Sequence, residues 1–77
     1  MNIEILIKEI ALALEVPELE ISIDSDSSSV EVWDSLGHIS ILARFDSVFE
    51  NITERIPELA SATSVREIHK LMNEGRL

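Results

Sequence analysis

The 77-residue chain has no cysteine and no tyrosine, one tryptophan, two glycines, two prolines, and only six Lys+Arg against fifteen Asp+Glu. Each scarcity removes a class of explanation. Without cysteine there are no disulfides, thiolate zinc sites or thiol nucleophiles, so packing alone must stabilise the fold and any thiol chemistry needs an imported thiol. A formal charge of -9 has the wrong sign for neutralising phosphates, which opposes binding to nucleic acid and to anionic membrane surfaces. No apolar run approaches the roughly 20 residues needed to cross a bilayer, so membrane insertion is not expected. Met1 to Ala13 is apolar, but Glu4 and Glu9 interrupt it and no basic region precedes it. It reads as a folded segment of a cytoplasmic protein rather than a signal peptide.

What is present is 45% hydrophobic residues in a chain long enough for one small domain, residues 1–77. Such a domain lies near the lower limit for a self-sufficient core, and a large internal cavity is hard to sustain in it. The charge is unevenly spread. Residues 1–43 hold nine acids and one base, Lys8, whereas residues 44–77 hold six acids and five bases.

Ile3, Leu6, Ile7, Ile10 and Leu14 recur at spacings of three and four, which predicts an amphipathic helix capped by Asn2 and ended at Val16 by Pro17. From Glu18 to Trp33 no helical period exists. Leu19, Ile21 and Ile23 alternate, but a lone strand has no pairing partner, so the segment reads as a long loop pinned by those side chains. Asp34 is a good N-cap for a second helix from Ser35 to about Glu50, ended by Asn51. Its apolar arc, from Leu36 and Ile39 to Val48 and Phe49, spans more than half the circumference and leaves a polar stripe of Gly37, Ser40, Arg44 and Ser47. This predicts a central helix touching every other element. Ile52 and Ile56 anchor a connector, and Pro57 opens a short helical turn to about Ala60. Ser64-Val65-Arg66-Glu67 has the capping-box pattern, with Val65, Ile68, Leu71 and Met72 as the apolar face and Gly75 beyond the end. The expected fold is all-α: a small four-helix bundle of three principal helices and a short third helix, with a long loop between the first two.

Common site motifs fail on specific residues. Asp24 and Asp26 begin like a calcium loop, but its sixth and twelfth positions are Ser29 and Ser35 where glycine and glutamate are needed. Only His38 and His69 are available to zinc, and Asp34/His38 at i, i+4 reads as a surface helix pair. No G-x-S-x-G elbow supports a serine hydrolase. Asn51-Ile52-Thr53 matches a glycosylation sequon by letters only, without a secretory route. The remaining constellation is Trp33-Asp34-Ser35-Leu36: a serine in the first turn of a helix beside a capping carboxylate, where backbone N–H groups and the helix dipole tolerate an anionic ester. Trp33 at N′ can reach His38 at N4 as a hydrophobic staple.

In this setting the chain resembles an acyl carrier protein of the specialised stand-alone type. The resemblance runs from Asn2 to about Met72 and is carried by Asp34-Ser35-Leu36, the apolar helix to Phe49, and Thr63-Ser64-Val65. It implies a monomeric, non-catalytic four-helix carrier. A phosphopantetheinyl transferase would attach 4′-phosphopantetheine from coenzyme A to Ser35, and the arm's thiol would carry acyl intermediates as thioesters between enzymes of a lipid, polyketide or polysaccharide-linked pathway. The sulfur missing from the sequence would then come with the cofactor. By the same resemblance Asp34 serves capping and transferase recognition, where it helps hold magnesium, and Leu36 is an exposed contact for acyl-loading and acyl-transferring enzymes with basic docking patches. A cargo chain folding back between the helices would meet Leu42, Ile52, Ile56, Leu59 and Ile68.

The sequence departs from the family's fatty-acid type where Gly37, Ser40 and Ser47 stand at positions commonly acidic, Asp46 keeps one acid and Arg44 adds a positive charge. Each lost exposed charge pair removes about 0.2–1 kcal/mol from a docking interface. Val32-Trp33 replaces the Leu-Gly common before D-S-L. Both point away from general fatty-acid synthase enzymes as preferred partners. Two alternatives remain: an aminoacyl or peptidyl carrier, and an unmodified helical interaction domain using the apolar face of residues 36–49.

Overall fold

The computed structural model describes residues Met1–Glu74, which form an all-α fold of four helices: α1 (Ile3–Leu14), α2 (Ser35–Val48), α3 (Ile52–Arg55) and α4 (Val65–Glu74). Short 3-10 turns at Glu18–Glu20 and Pro57–Ser61 complete it. Gly75, expected beyond the last helix, lies outside the described residues. No helix among them is long and apolar enough to cross a membrane.

α1 begins as its sequence predicts, with Asn2 Oδ1 accepting from the Glu4 and Ile5 N–H groups at 2.7 and 3.3 Å. Leu6, Ile10, Ala11 and Leu14 are buried, and Ile3 and Ile7 border them. Its end differs from expectation. Glu15 turns left-handed (φ 60), and the Val16 N–H returns to the Ala11 carbonyl at 3.1 Å, so a Schellman-type turn stops the helix before Pro17 takes effect.

The loop between α1 and α2 is held at specific points. Ile21 is buried and Ile23 half-buried, but Leu19 is 99% exposed and pins nothing. Farther on, backbone bonds from Ser27 N–H to the Thr63 carbonyl (2.9 Å) and from Val65 N–H to the Ser25 carbonyl (3.0 Å) tie the loop to the start of α4 through an isolated antiparallel bridge between Asp26 and Ser64. Asp26 Oδ1 accepts from the Ser28 and Ser29 N–H groups, and Asp24 pairs with Arg66 of α4. The Ser/Asp stretch is thus internally organised by its short polar side chains rather than merely solvated.

α2 carries a narrower buried stripe than its composition suggests. His38, Ile41 and Phe45 are buried, whereas Leu36, Ile39 and Val48 are exposed. α2 packs against α1, α3 and the Pro57–Ser61 turn, but its backbone makes no close approach to α4, which lies on α1 and that turn. Its backbone therefore runs close to some of the other elements, not to all of them. It ends at Val48, two residues early, because Glu50 and Asn51 are both left-handed (φ 53 and 57). The connector expected over Ile52–Ile56 is itself a helical turn. Its N-terminus is capped from a distance: Asp46 accepts from Thr53 N–H at 2.9 Å and Thr53 Oγ1 at 2.8 Å. Ser64 Oγ caps α4 through the Glu67 N–H at 3.1 Å, and Val65, Ile68 and Met72 are buried beneath it.

Candidate functional site

The start of α2 is fixed by three neighbouring interactions. Asp34 is extended (φ -97, ψ -164), and its Oδ1 accepts from Gly37 N–H at 2.8 Å, a cap that contributes about 1 kcal/mol. Trp33, at N′, is 1% exposed and lies over His38 at N4, with ring centroids 6.2 Å apart and planes at 12°. Gly37 closes the arrangement: a Cβ there would overlap the Val32 carbonyl oxygen and come within 3.0 Å of Leu14 Cδ2. The loop before the helix, its first turn and α1 meet at a position where only glycine fits.

His38 is the hub of this end of the helix. The indole N–H of Trp33 donates to His38 Nδ1 at 3.1 Å, so that nitrogen is the acceptor and Nε2 carries the hydrogen, which it donates to the Leu59 carbonyl oxygen at 2.9 Å. The chain of bonds joins α2 to the Pro57–Ser61 turn and satisfies the polar atoms of both buried rings. The expected surface pairing of His38 with Asp34 is replaced by this buried role, because the staple brings the ring under Trp33.

Ser35 occupies the first helical position, exposed, and its hydroxyl has no hydrogen-bond partner among the described residues. Beside it opens a groove of about 590 Å³ bounded by Trp33, His38, Ile39 and Leu42 on one side and by Ser27, Ala60 and Thr63 on the other. Asp34 and Ser35 stand at its edge. Of the five residues expected around a cargo cleft, Leu42 lines this groove. Ile52, Ile56, Leu59 and Ile68 do not; they are buried in the core. Leu36 points elsewhere and is 75% exposed, next to exposed Ile39 on the same helix.

The charges of α2 are committed within the domain. Arg44 forms an ion pair with Glu9 of α1, and Asp46 is engaged by Thr53. Gly37 is half-buried against Val32 and Leu14, so no acid can stand there without displacing Val32. The exposed positions of the helix are Leu36, Ile39, Ser40, Ala43, Ser47 and Val48 beside Ser35, a surface free of acid. Sequence reasoning missed Ser27 and Thr63, since no local pattern reports that two segments 36 residues apart in the chain share one groove wall. No family model, curated protein or solved structure matches the chain. The functional reading rests on the residues and their geometry.

Proposed function

We propose that the protein is an acyl carrier modified with 4′-phosphopantetheine on Ser35. The observation that carries the reading is the placement of Ser35: an exposed hydroxyl without a hydrogen-bond partner among the described residues, at the positive end of a capped helix, on the edge of a groove. Such a site fits an esterified arm. The hydroxyl is accessible to a modifying enzyme, the helix N-terminus favours the phosphodiester's negative charge, and the groove gives the arm a surface to lie on.

In the attachment, Ser35 Oγ passes its proton to a base of the transferase and forms the new P–O bond as the pyrophosphate linkage of coenzyme A breaks and 3′,5′-adenosine bisphosphate leaves. Asp34 orients the first turn and offers a carboxylate at the edge of the site, available to a transferase-bound magnesium. The arm, when attached, supplies the thiol that holds an acyl group as a thioester, a function the cysteine-free chain cannot provide itself. The Trp33–His38–Leu59 chain of hydrogen bonds keeps the modified turn in one position relative to the rest of the domain. An acid-free exposed face on α2 supports partners other than enzymes that dock through strongly basic patches.

The exposed apolar residues Leu36 and Ile39 also favour a second reading, an unmodified interaction domain that binds a partner through this face. Intact-mass analysis separates the two. Wild-type protein and Ser35→Ala are incubated with a broad-specificity phosphopantetheinyl transferase, magnesium and coenzyme A. The carrier reading expects one phosphopantetheine mass on wild type and none on the variant. No gain on wild type, or an equal gain on Ser35→Ala, removes it.

A further inference from the structure

The interior beside Ser35 is shut. Leu59, Val65 and Ile68 are at most 1% exposed, and none of them lines the groove. Two of the residues that line the groove, Trp33 and His38, have their polar atoms tied to each other and to the Leu59 carbonyl. Parting these two rings for an aliphatic chain would break both hydrogen bonds and leave the Trp33 N–H and the imidazole nitrogens unpaired. The groove itself, at about 590 Å³, has the capacity of one ligand of ordinary drug size.

The groove's chemistry narrows the cargo further. Ser27 and Thr63 present side-chain hydroxyls that have no hydrogen-bond partner among the described residues, while Ile39 and Leu42 provide a short apolar wall. Among the described residues no cation lines the groove, and Asp34 stands at its edge within a chain of charge -9, so a carboxylate on the cargo is repelled. From the closed wall, the free hydroxyls and the local charge, we propose that the protein carries short, neutral, polar acyl groups held at its surface, not long aliphatic chains withdrawn into its core. The inference rests on Ser35 as the attachment point.

The test compares butyryl, 3-hydroxybutyryl and octanoyl forms of the protein, each made with a broad-specificity transferase from the corresponding coenzyme A ester. Mass spectrometry checks the loading first; failure of all three to load at Ser35 removes the carrier reading itself, an outcome separate from any result on the cargo. On the loaded forms, NMR records the Leu59 and Ile68 methyl groups, the Trp33 indole N–H and the Ser27 and Thr63 amides. The expected result is that octanoyl and butyryl forms share the same core methyl and indole resonances and melt within about 2 °C of each other. The 3-hydroxybutyryl form is expected to differ from butyryl at Ser27 or Thr63. Movement of the Leu59 or Ile68 methyls on octanoylation shows that the core admits the chain, and overturns the proposal. Indistinguishable Ser27 and Thr63 amides in the butyryl and 3-hydroxybutyryl forms overturn its polar part.

Discussion

Trp33 donates its indole N–H to Nδ1 of His38 at 3.1 Å, and the two rings lie nearly parallel, so the residue before the helix cap and the residue at the end of the first helical turn are locked together. Because the other imidazole nitrogen reaches the Leu59 carbonyl at 2.9 Å, His38→Ala removes two hydrogen bonds and the stacking at once. It strands the buried Trp33 indole N–H, while the Leu59 carbonyl keeps the Ala62 N–H at 3.2 Å. The expected loss is about 2–4 kcal/mol of unfolding free energy, a large part of what a domain this size possesses. Urea denaturation measures it, and Trp33, as the single tryptophan, reports the same event through a red-shifted emission. A variant with wild-type stability and unshifted emission would show that the contact does not hold the helix start.

Gly37 offers a test in which the sign itself is informative. In an exposed helix interior, Gly→Ala gains roughly 1 kcal/mol from lower backbone entropy in the unfolded chain and better propensity. Here the added methyl overlaps the Val32 carbonyl oxygen, which is backbone and cannot swing aside, so Gly37→Ala is expected to lose about 1–3 kcal/mol instead. Thermal unfolding distinguishes the two directions. Since Gly37 N–H also donates to the Asp34 cap, the variant should displace the turn that bears Ser35 and slow its loading.

These two sites also show what the sequence can and cannot reveal. Trp33 and His38 are legible as a staple because the N′/N4 spacing is local, and the caps at Asn2, Asp34 and Ser64 are legible for the same reason. Gly37 reads as one more small residue on a polar stripe, since its constraint comes from the path of the Val32 backbone and from Leu14 across the fold, neither of which the pattern of side chains reports. Periodicity overstates how much of α2 is buried: it counts apolar residues and is blind to how many neighbours are there to cover them. Leu19 misleads in the same way, alternating with Ile21 yet left in solvent. The helix ends at Glu15 and at Glu50-Asn51 fall one or two residues from where the pattern puts them, because non-glycine residues adopt left-handed backbone there without the glycine that usually announces it. For the candidate site, Ser35 and its cap come from local sequence, whereas the groove needs the loop, α2 and the Ala60–Thr63 segment together.

Asp46 reads, in sequence, as an acid kept for docking. Its carboxylate is instead the cap of α3, accepting from both the N–H and the hydroxyl of Thr53. Asp46→Ala should therefore lose about 1–2 kcal/mol of stability, with Thr53→Ala losing part of the same amount and the double variant less than the sum. Transferase loading of Ser35, measured by mass at a temperature where the variant is still folded, should stay at the wild-type rate. Slower loading with unchanged stability would return Asp46 to the docking surface.

Leu36 presents the opposite profile. At 75% exposure it contributes little to the core, so Leu36→Ala should change unfolding free energy by no more than about 0.5 kcal/mol. If the apolar face of α2 receives the transferase, the same variant loads more slowly, by roughly tenfold for a central contact worth about 1.4 kcal/mol. Salt separates this contribution from the acidic one. The long-range attraction is expected chiefly from the acidic half that precedes residue 44, including the exposed Glu31 and Asp34, and raising ionic strength should slow loading by screening it. The fractional slowing should be equal for wild type and Leu36→Ala, because the leucine carries no charge. A loading rate indifferent to salt argues against electrostatic docking of the acidic half, and wild-type loading by Leu36→Ala places the transferase's contact elsewhere.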